Sequence, residues 1–342
     1  MIVKNEERVL RRCLDSIRDL MDEIIIVDTG STDRTKEIGA EYTDKIYDFA
    51  WTGDFSEARN FSFSKAGCDY IYVADADEVL DKENREKFRI LKETLVDEVE
   101  IVQMYYGNQL SHGTVYNYDK ELRPKLFKRR RSFCWIEPVH ETVRLLPVVF
   151  DSDIEITHLP ENNHAGRDME IFARMTDKGQ ALSGRLVTMY AKELLISGGE
   201  KELQRAEDYF TRIADDGERS QDQMKEAVCV VVRGARLRGD FLKMYRYAMK
   251  DVASEGVSEV CYELGEYYFG QGDFTEAAIW FYNAAYETQS ILNIHCSSDL
   301  PLKGLARCYE KMGMGEQAKE YYEEATKAFT DFCIKYNSQC FP

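Results

Sequence analysis

A chain of 342 residues with 44% hydrophobic and 31% charged residues has the make-up of an ordinary globular protein, long enough for about two domains that each bury a core. The formal net charge of -17 excludes a protein that grips nucleic acid or an anionic membrane through a general positive field. No apolar stretch approaches the roughly 18 residues of a membrane span, and MIVKNEERVL lacks the apolar core of a signal peptide, so a cytoplasmic location without stable membrane insertion is expected.

In chain order, IVKNEERVLRRCLDSIRDL runs from a short apolar start into a helix with Val9, Leu10, Cys13, Leu14 and Ile17 at helical spacing. EIIIVDTG follows as a buried strand closed by Asp28 and Gly30. A second helix is expected in STDRTKEIGAEY, starting at a Ser or Thr suited to capping, and after KIYDFAW a third runs from Ser56 to Ala66. The strand DYIYVADADE completes a β-α-β-α-β-α-β series, which implies a parallel sheet with helices on both faces. Ligands of such sheets bind at the carboxyl ends of the strands, where VDTGSTD and VADADE both lie.

From about residue 166 the pattern turns helical and repeats. Glu263 to Ala285 and Gly304 to Ala328 align Tyr268 with Tyr309, Gly272 with Gly313, Ala277 with Ala318, Phe281 with Tyr322 and Ala284 with Ala325. That is tetratricopeptide spacing, with units of roughly 34 residues. A weaker copy carries Ala206 and Phe210 at the matching places, and the segment between has room for another degenerate unit. The expected organisation is an α/β domain over 1-165 and an all-α helical repeat domain over 166-342. Nine scattered cysteines without a C-x-x-C pair read as free thiols, many of them in the core.

YIYVADADEVL, Tyr70 to Leu80, runs an apolar strand into Asp75, Asp77 and Glu78. Where a strand gives way to a turn, two acids one residue apart can face one ligand. Hard oxygen donors there suit Mg2+ or Mn2+, held by one or two carboxylates plus substrate phosphates; loop and cap acids are the competing reading. Capping and turn chemistry explain Gly30, Ser31 and Thr32 but not Asp28, whose carboxylate can accept hydrogen bonds from a uracil or ribose. Arg59, in the first turn of the third helix, can neutralise a pyrophosphate or stand in solvent. KLFKRRR reads first as a solvated hairpin edge, and second as a dock for donor phosphates or an acidic acceptor.

MIVKNEE, DEIIIVDTGSTDRT, WTGDFSEARN and YVADADE, in this order and at this spacing, resemble the N-terminal sequence of family 2 glycosyltransferases of the GT-A fold, whose sheet is Rossmann-like and mostly parallel. With RPKLFKRR, FCWIEPVHE and a helical repeat tail, the chain is similar to the bacterial branch that includes the sublancin S-glycosyltransferase. The resemblance implies an inverting, metal-dependent transfer of a sugar from a UDP-sugar donor. It implies a nucleotide-sugar site of Val3, Asn5, Glu6, Asp28, Gly30, Asp33, Trp51, Asp54, Arg59, Asp75 and Ala76. Within that site Glu6 and Asp28 would hold the nucleoside, Arg59 would lie near the diphosphate, and Asp75 would contact ribose. Asp77, His140 and His158 become the ligands of Mn2+ or Mg2+.

Inverting transfer needs a base on the acceptor, and Glu141 is placed ahead of Glu137 for that role, since the family's acidic pair before a helix is not evident. Tetratricopeptide grooves commonly bind extended peptide, so a peptide or protein acceptor is expected, with pairing of two copies through the repeats as the other use of the array. Two alternatives stay open: a polysaccharide or lipid-linked glycan as acceptor, and a non-catalytic tetratricopeptide scaffold.

Overall fold

Three short strands, β1 (Ile2–Val3), β2 (Ile26–Asp28) and β3 (Ile46–Asp48), form a parallel sheet in that order, in which Val3 faces Asp28 and Asp28 faces Asp48. In this computed structural model, which describes residues 1–107, 120–143, 148–160 and 165–338, the chain divides into two units, Met1–Asn163 and His164–Pro342. Helix α1 (Leu10–Ile17) connects β1 to β2 and buries Leu10, Cys13, Leu14 and Ile17, the stripe its spacing predicts. Helix α2 (Thr35–Ala40) connects β2 to β3.

The second helix begins later than its capping residues suggest. Ser31 Oγ accepts the Asn5 N–H at 2.9 Å and the Thr32 N–H donates to Asn5 Oδ1 at 2.8 Å, so both residues tie the β1 and β2 loops together. Asp33 takes over the helix start, its Oδ1 accepting the Thr35 N–H at 3.0 Å. Helix α3 (Phe55–Lys65) starts as expected, with Asp54 Oδ1 accepting the N–H groups of Ser56 and Glu57 at 2.8 and 3.2 Å.

The strand in DYIYVADADE leaves the parallel series. It is split into β4 (Tyr70–Tyr72) and β5 (Glu78–Val79) around a turn. After α4 (Lys82–Thr94) come β6 (Ile101–Gly107), β7 (Glu121–Lys128) and β8 (Val149–His158). These strands make a second sheet of order β4-β7-β6-β8-β5, antiparallel at every pair except β6 with β8. Tyr70–Tyr72 pairs with Leu126–Lys128; an apolar strand shows that it needs a buried partner, and not which partner it takes. Val102 faces Leu126 while Gln103 faces Pro124, so Lys125 is the extra residue of a β-bulge. Alternation is lost there: Lys125, Leu126 and Phe127 are buried in succession.

The two sheets share cores. Ala76 packs with Val3, Leu10, Leu14 and Ile26, while Ala74 and Leu80 pack with Cys13 and Ile17 of α1 and with Ile154 and Ile156 of β8. The turn between β4 and β5 is thereby fastened beside the end of β1, whose Val3 lies opposite Asp28.

The second unit consists, among the described residues, of helices: α5 (Ala165–Asp177), α6 (Gly184–Ile196), α7 (Glu200–Ala214), α8 (Gln221–Arg238), α9 (Phe241–Val252), α10 (Ser258–Gln271), α11 (Phe274–Tyr282), α12 (Asp299–Lys311) and α13 (Gly315–Ser338). The aligned repeats are α10–α11 and α12–α13, and α6–α7 is the weaker copy. The segment between forms a fourth hairpin, α8–α9, built on the same Gly-Asp turn as α10–α11. Gly239 and Gly272 take φ of +77° and +81°, which a side chain resists, and Asp240 and Asp273 cap the next helix. Phe281 of α11 is fully buried against Gly265 and Gly304.

The seven described cysteines are free thiols and five are buried; Cys333 and Cys340 lie outside the residues whose side chains are described. Among the described residues no helix is long and apolar enough to cross a membrane.

Candidate active site

Asp28 ends β2 almost fully buried at 1% exposure. Its Oδ1 accepts the N–H groups of Gly30 and Ser31, both at 2.9 Å, in a turn that Gly30 permits with φ of +103°. Its Oδ2 is buried with no hydrogen-bond partner. A buried carboxylate oxygen without a donor is costly, and this one is an acceptor waiting for an N–H or O–H. The capping network beside it engages Asn5 and Asp33 in protein hydrogen bonds, and the Glu6 N–H donates to Thr35 Oγ1 at 2.7 Å.

Asp75 lies where α3 meets the turn. Arg59 Nη2 donates to Asp75 Oδ1 at 2.9 Å while its Nε pairs with Glu141, and the guanidinium lies 5.1 Å from the Trp135 ring centroid. Burial by itself would raise the Asp75 carboxyl, but Arg59 and Lys125 outweigh it and hold it well below the usual carboxylate range. Asp77, two residues on, meets a different partner: its Oδ2 lies 3.1 Å from His158 Nε2. The His158 ring stands 5.1 Å from that of Tyr106. Ala76 between them is buried, so the two acids leave the core on either side of it.

The stretch WIEPVHET forms a narrow loop closed by mutual backbone hydrogen bonds of Ile136 and Thr142, at 2.9 and 3.1 Å. It is bound to α3 from both sides. Asn60 exchanges hydrogen bonds with the Trp135 backbone at 2.8 and 2.9 Å, and the Phe55 N–H donates to the Pro138 carbonyl at 2.9 Å. Glu137 and His140 hold positive φ of 71° and 47°, a conformation costing of order 1 kcal/mol for ordinary residues that a tight, over-determined loop sustains. Glu141 is drawn to Arg59, and among the described contacts of Asp77 the histidine is His158, with His140 standing in the 136–142 loop.

The remaining expected positions are less directly chemical. Trp51 packs on Phe55 at 4.7 Å, Val3 is core, and Asp54 is a helix cap. Four cations of the basic run are engaged inside its own unit: Lys125 pairs with Glu78, Lys128 and Arg129 donate to the Asp97 and Cys68 carbonyls, and Arg131 pairs with Glu100. The sequence singles out Glu78 only as one acid of a cluster and Lys125 only as one cation of a basic run, and gives no sign of Tyr106. The one available signal was Pro124 inside a strand, which marks an edge or a bulge.

Residues 1–146 match the model of the family described as glycosyl transferase family 2. The match spans most of the N-terminal unit. A TPR repeat-containing protein of Synechococcus elongatus is 36% identical over 143 residues, 42% of this chain and 34% of that protein. The SPbeta prophage-derived glycosyltransferase SunS of Bacillus subtilis is 40% identical over 89 residues, 25% of this chain and 21% of SunS. The matches thus span about a third of the first relative's length and a fifth of the second's. Glucosyl-3-phosphoglycerate synthase from Mycobacterium tuberculosis, solved with Mn2+ and UDP-glucose, aligns at a TM-score of 0.40 and 16% identity over 54% of this chain and 79% of its own, too distant to carry an argument. Asp28, Arg59, Asp75 and Asp77 all belong to the matched residues, while His158 follows them.

Proposed function

We propose that the protein is a metal-dependent glycosyltransferase that moves a sugar, with inversion, from a UDP-sugar to a peptide or protein side chain. The observation that carries the metal reading is the Asp77–His158 pair. Two donors each about 2.1 Å from one ion and at a right angle stand about 3.0 Å apart, and Asp77 Oδ2 and His158 Nε2 are separated by 3.1 Å. A carboxylate and an imidazole suit Mn2+ well and Mg2+ less well. The bound ion would supply neutralising charge to the diphosphate leaving group.

The chain's own groups divide the remaining work. Asp28 Oδ2, buried and without a donor, accepts from the nucleoside. Arg59 lies between Asp75 and Glu141 and keeps positive charge at the same edge. The acceptor proton goes to an acid of the 136–142 loop, Glu141, which Arg59 holds at this edge, or Glu137 in the same narrow loop. A tetratricopeptide-like unit in the same chain supports an extended peptide as acceptor, because stacked hairpins present long surfaces of that kind.

The test is release of UDP from a panel of UDP-sugars with and without Mn2+, together with the anomeric configuration of any product. Mn2+-dependent release with inversion is expected. Absence of turnover for every UDP-sugar, or turnover unchanged by a chelator, overturns the reading.

A further inference from the structure

We propose that Lys125 is a positioning residue of the sugar-transfer site, holding Asp75 and Glu78 from beneath so that Asp77 is presented to His158 and the metal. This rests on the glycosyltransferase reading above.

Lys125 is 4% exposed and Glu78 2%, a depth at which a lysine and a glutamate are found together and seldom alone. Lys125 Nζ pairs with Glu78 Oε1, lies 3.6 Å from Asp75 Oδ2 and donates to the Val73 carbonyl at 3.4 Å. One ammonium therefore touches the residue before the turn and both ends of Asp75–Glu78. The turn closes on itself through the same groups: the Asp75 N–H donates to Glu78 Oε2 and the Glu78 N–H to the Asp75 carbonyl, both at 3.2 Å.

The backbone is arranged to deliver this side chain. Lys125 is the bulged residue of β7, and bulges re-aim a side chain that regular pleating would send elsewhere. Its own carbonyl accepts the Val73 N–H at 2.8 Å, which fixes the ammonium relative to the strand that enters the turn. Tyr106 of the neighbouring strand completes the support, its ring centroid 5.1 Å from Lys125 Nζ and 5.1 Å from the His158 ring. Acidic and basic side chains alternate along the line Glu141, Arg59, Asp75, Lys125, Glu78. Without Lys125 the Asp75 and Glu78 carboxyls lose the cation that lies between them, and the turn loses its brace from β7.

The competing role is purely structural: Lys125 neutralises Glu78 and does nothing for the site. Calorimetric titration of UDP with and without Mn2+, alongside thermal melts, separates the two in the full chain carrying Lys125→Met, Lys125→Arg or the pair Lys125→Met/Glu78→Gln. Removing both charges restores the melting temperature under either role. Positioning predicts that Mn2+-dependent UDP affinity stays weakened by about tenfold or more in the pair and is partly rescued by Lys125→Arg. Recovery of affinity together with melting temperature, or wild-type affinity in Lys125→Met, overturns the proposal. Lack of UDP binding by the wild type removes the glycosyltransferase reading itself, and this inference with it.

Discussion

Arg59 Nη2 donates to Asp75 Oδ1 at 2.9 Å while the same guanidinium reaches Glu141 through Nε, so one helix residue joins the strand-end turn to the 136–142 loop. A planar fork presents separate N–H donors to the two carboxylates in a fixed geometry, which the single nitrogen of an ammonium does not reproduce. Arg59→Ala leaves two acids facing each other with a side chain missing above Trp135, and should cost about 3 kcal/mol, the usual size for breaking a buried pair by removing one partner. Arg59→Lys should fall between the two. Denaturant unfolding measures both; an alanine variant as stable as wild type would show that the pairs contribute nothing.

Asp28 provides a cleaner separation of recognition from folding. Asparagine keeps one acceptor for the Gly30 and Ser31 N–H groups but turns the second oxygen into a donor. Asp28→Asn should therefore change stability by about 1 kcal/mol or less and weaken UDP at least about tenfold, because an N–H of the base then meets another N–H. Equal UDP affinity in the two proteins would place the nucleoside elsewhere.

The helical unit has an acid limb of its own. Burial alone would raise Asp299, but His295 at 2.5 Å and Lys303 at 2.7 Å outweigh it and bring its carboxyl down to about 2. A carboxyl depressed in the folded state contributes stability above its unfolded value near 3.9, and that stability is lost as pH falls toward 2. Asp299→Asn should thus be about 2 kcal/mol less stable at pH 7, and the gap to wild type should narrow between pH 4 and pH 2. A gap independent of pH would assign the loss to packing.

Gly304 tests the repeat packing by the sign of its effect. Alanine is the better helix former by about 1 kcal/mol. A Cβ at Gly304 would stand 2.7 Å from the Phe281 ring, and one at Gly265 2.6 Å from the same ring. The ring is wedged and cannot yield as a flexible tip would, so Gly304→Ala should destabilise by about 1–3 kcal/mol, read as a lower melting temperature. A higher melting temperature would mean that the helices move apart freely.

Much of this was legible in the sequence, for reasons that particular residues make plain. The repeats could be read because each hairpin is local: Gly272 and Gly313 sit at helix ends, and Ala277 and Ala318 at inward positions, whatever the rest of the chain does. The edge carrying Asp28 and Asp75 could be read because both acids follow apolar strands at the carboxyl ends, where sheets of this kind bind ligands. What stayed hidden depends on distant partners. Glu141 is 82 residues from Arg59 and Lys125 is 47 from Glu78, and no periodicity links such pairs. The antiparallel pairing of β4 with β7 was hidden for the same reason. Ser31 and Thr32 misled because a hydroxyl suited to capping a helix is equally suited to tying two loops together, and Asn5 stood ready to take part.

The measurement that bears most directly on the central claim is calorimetric titration of UDP into the wild type and into Asp77→Ala, each with and without Mn2+. The account expects binding that Mn2+ strengthens in the wild type and does not strengthen in the variant, because the carboxylate that faces His158 is gone. Binding of equal strength with and without the metal, or a metal effect that survives in Asp77→Ala, would contradict it.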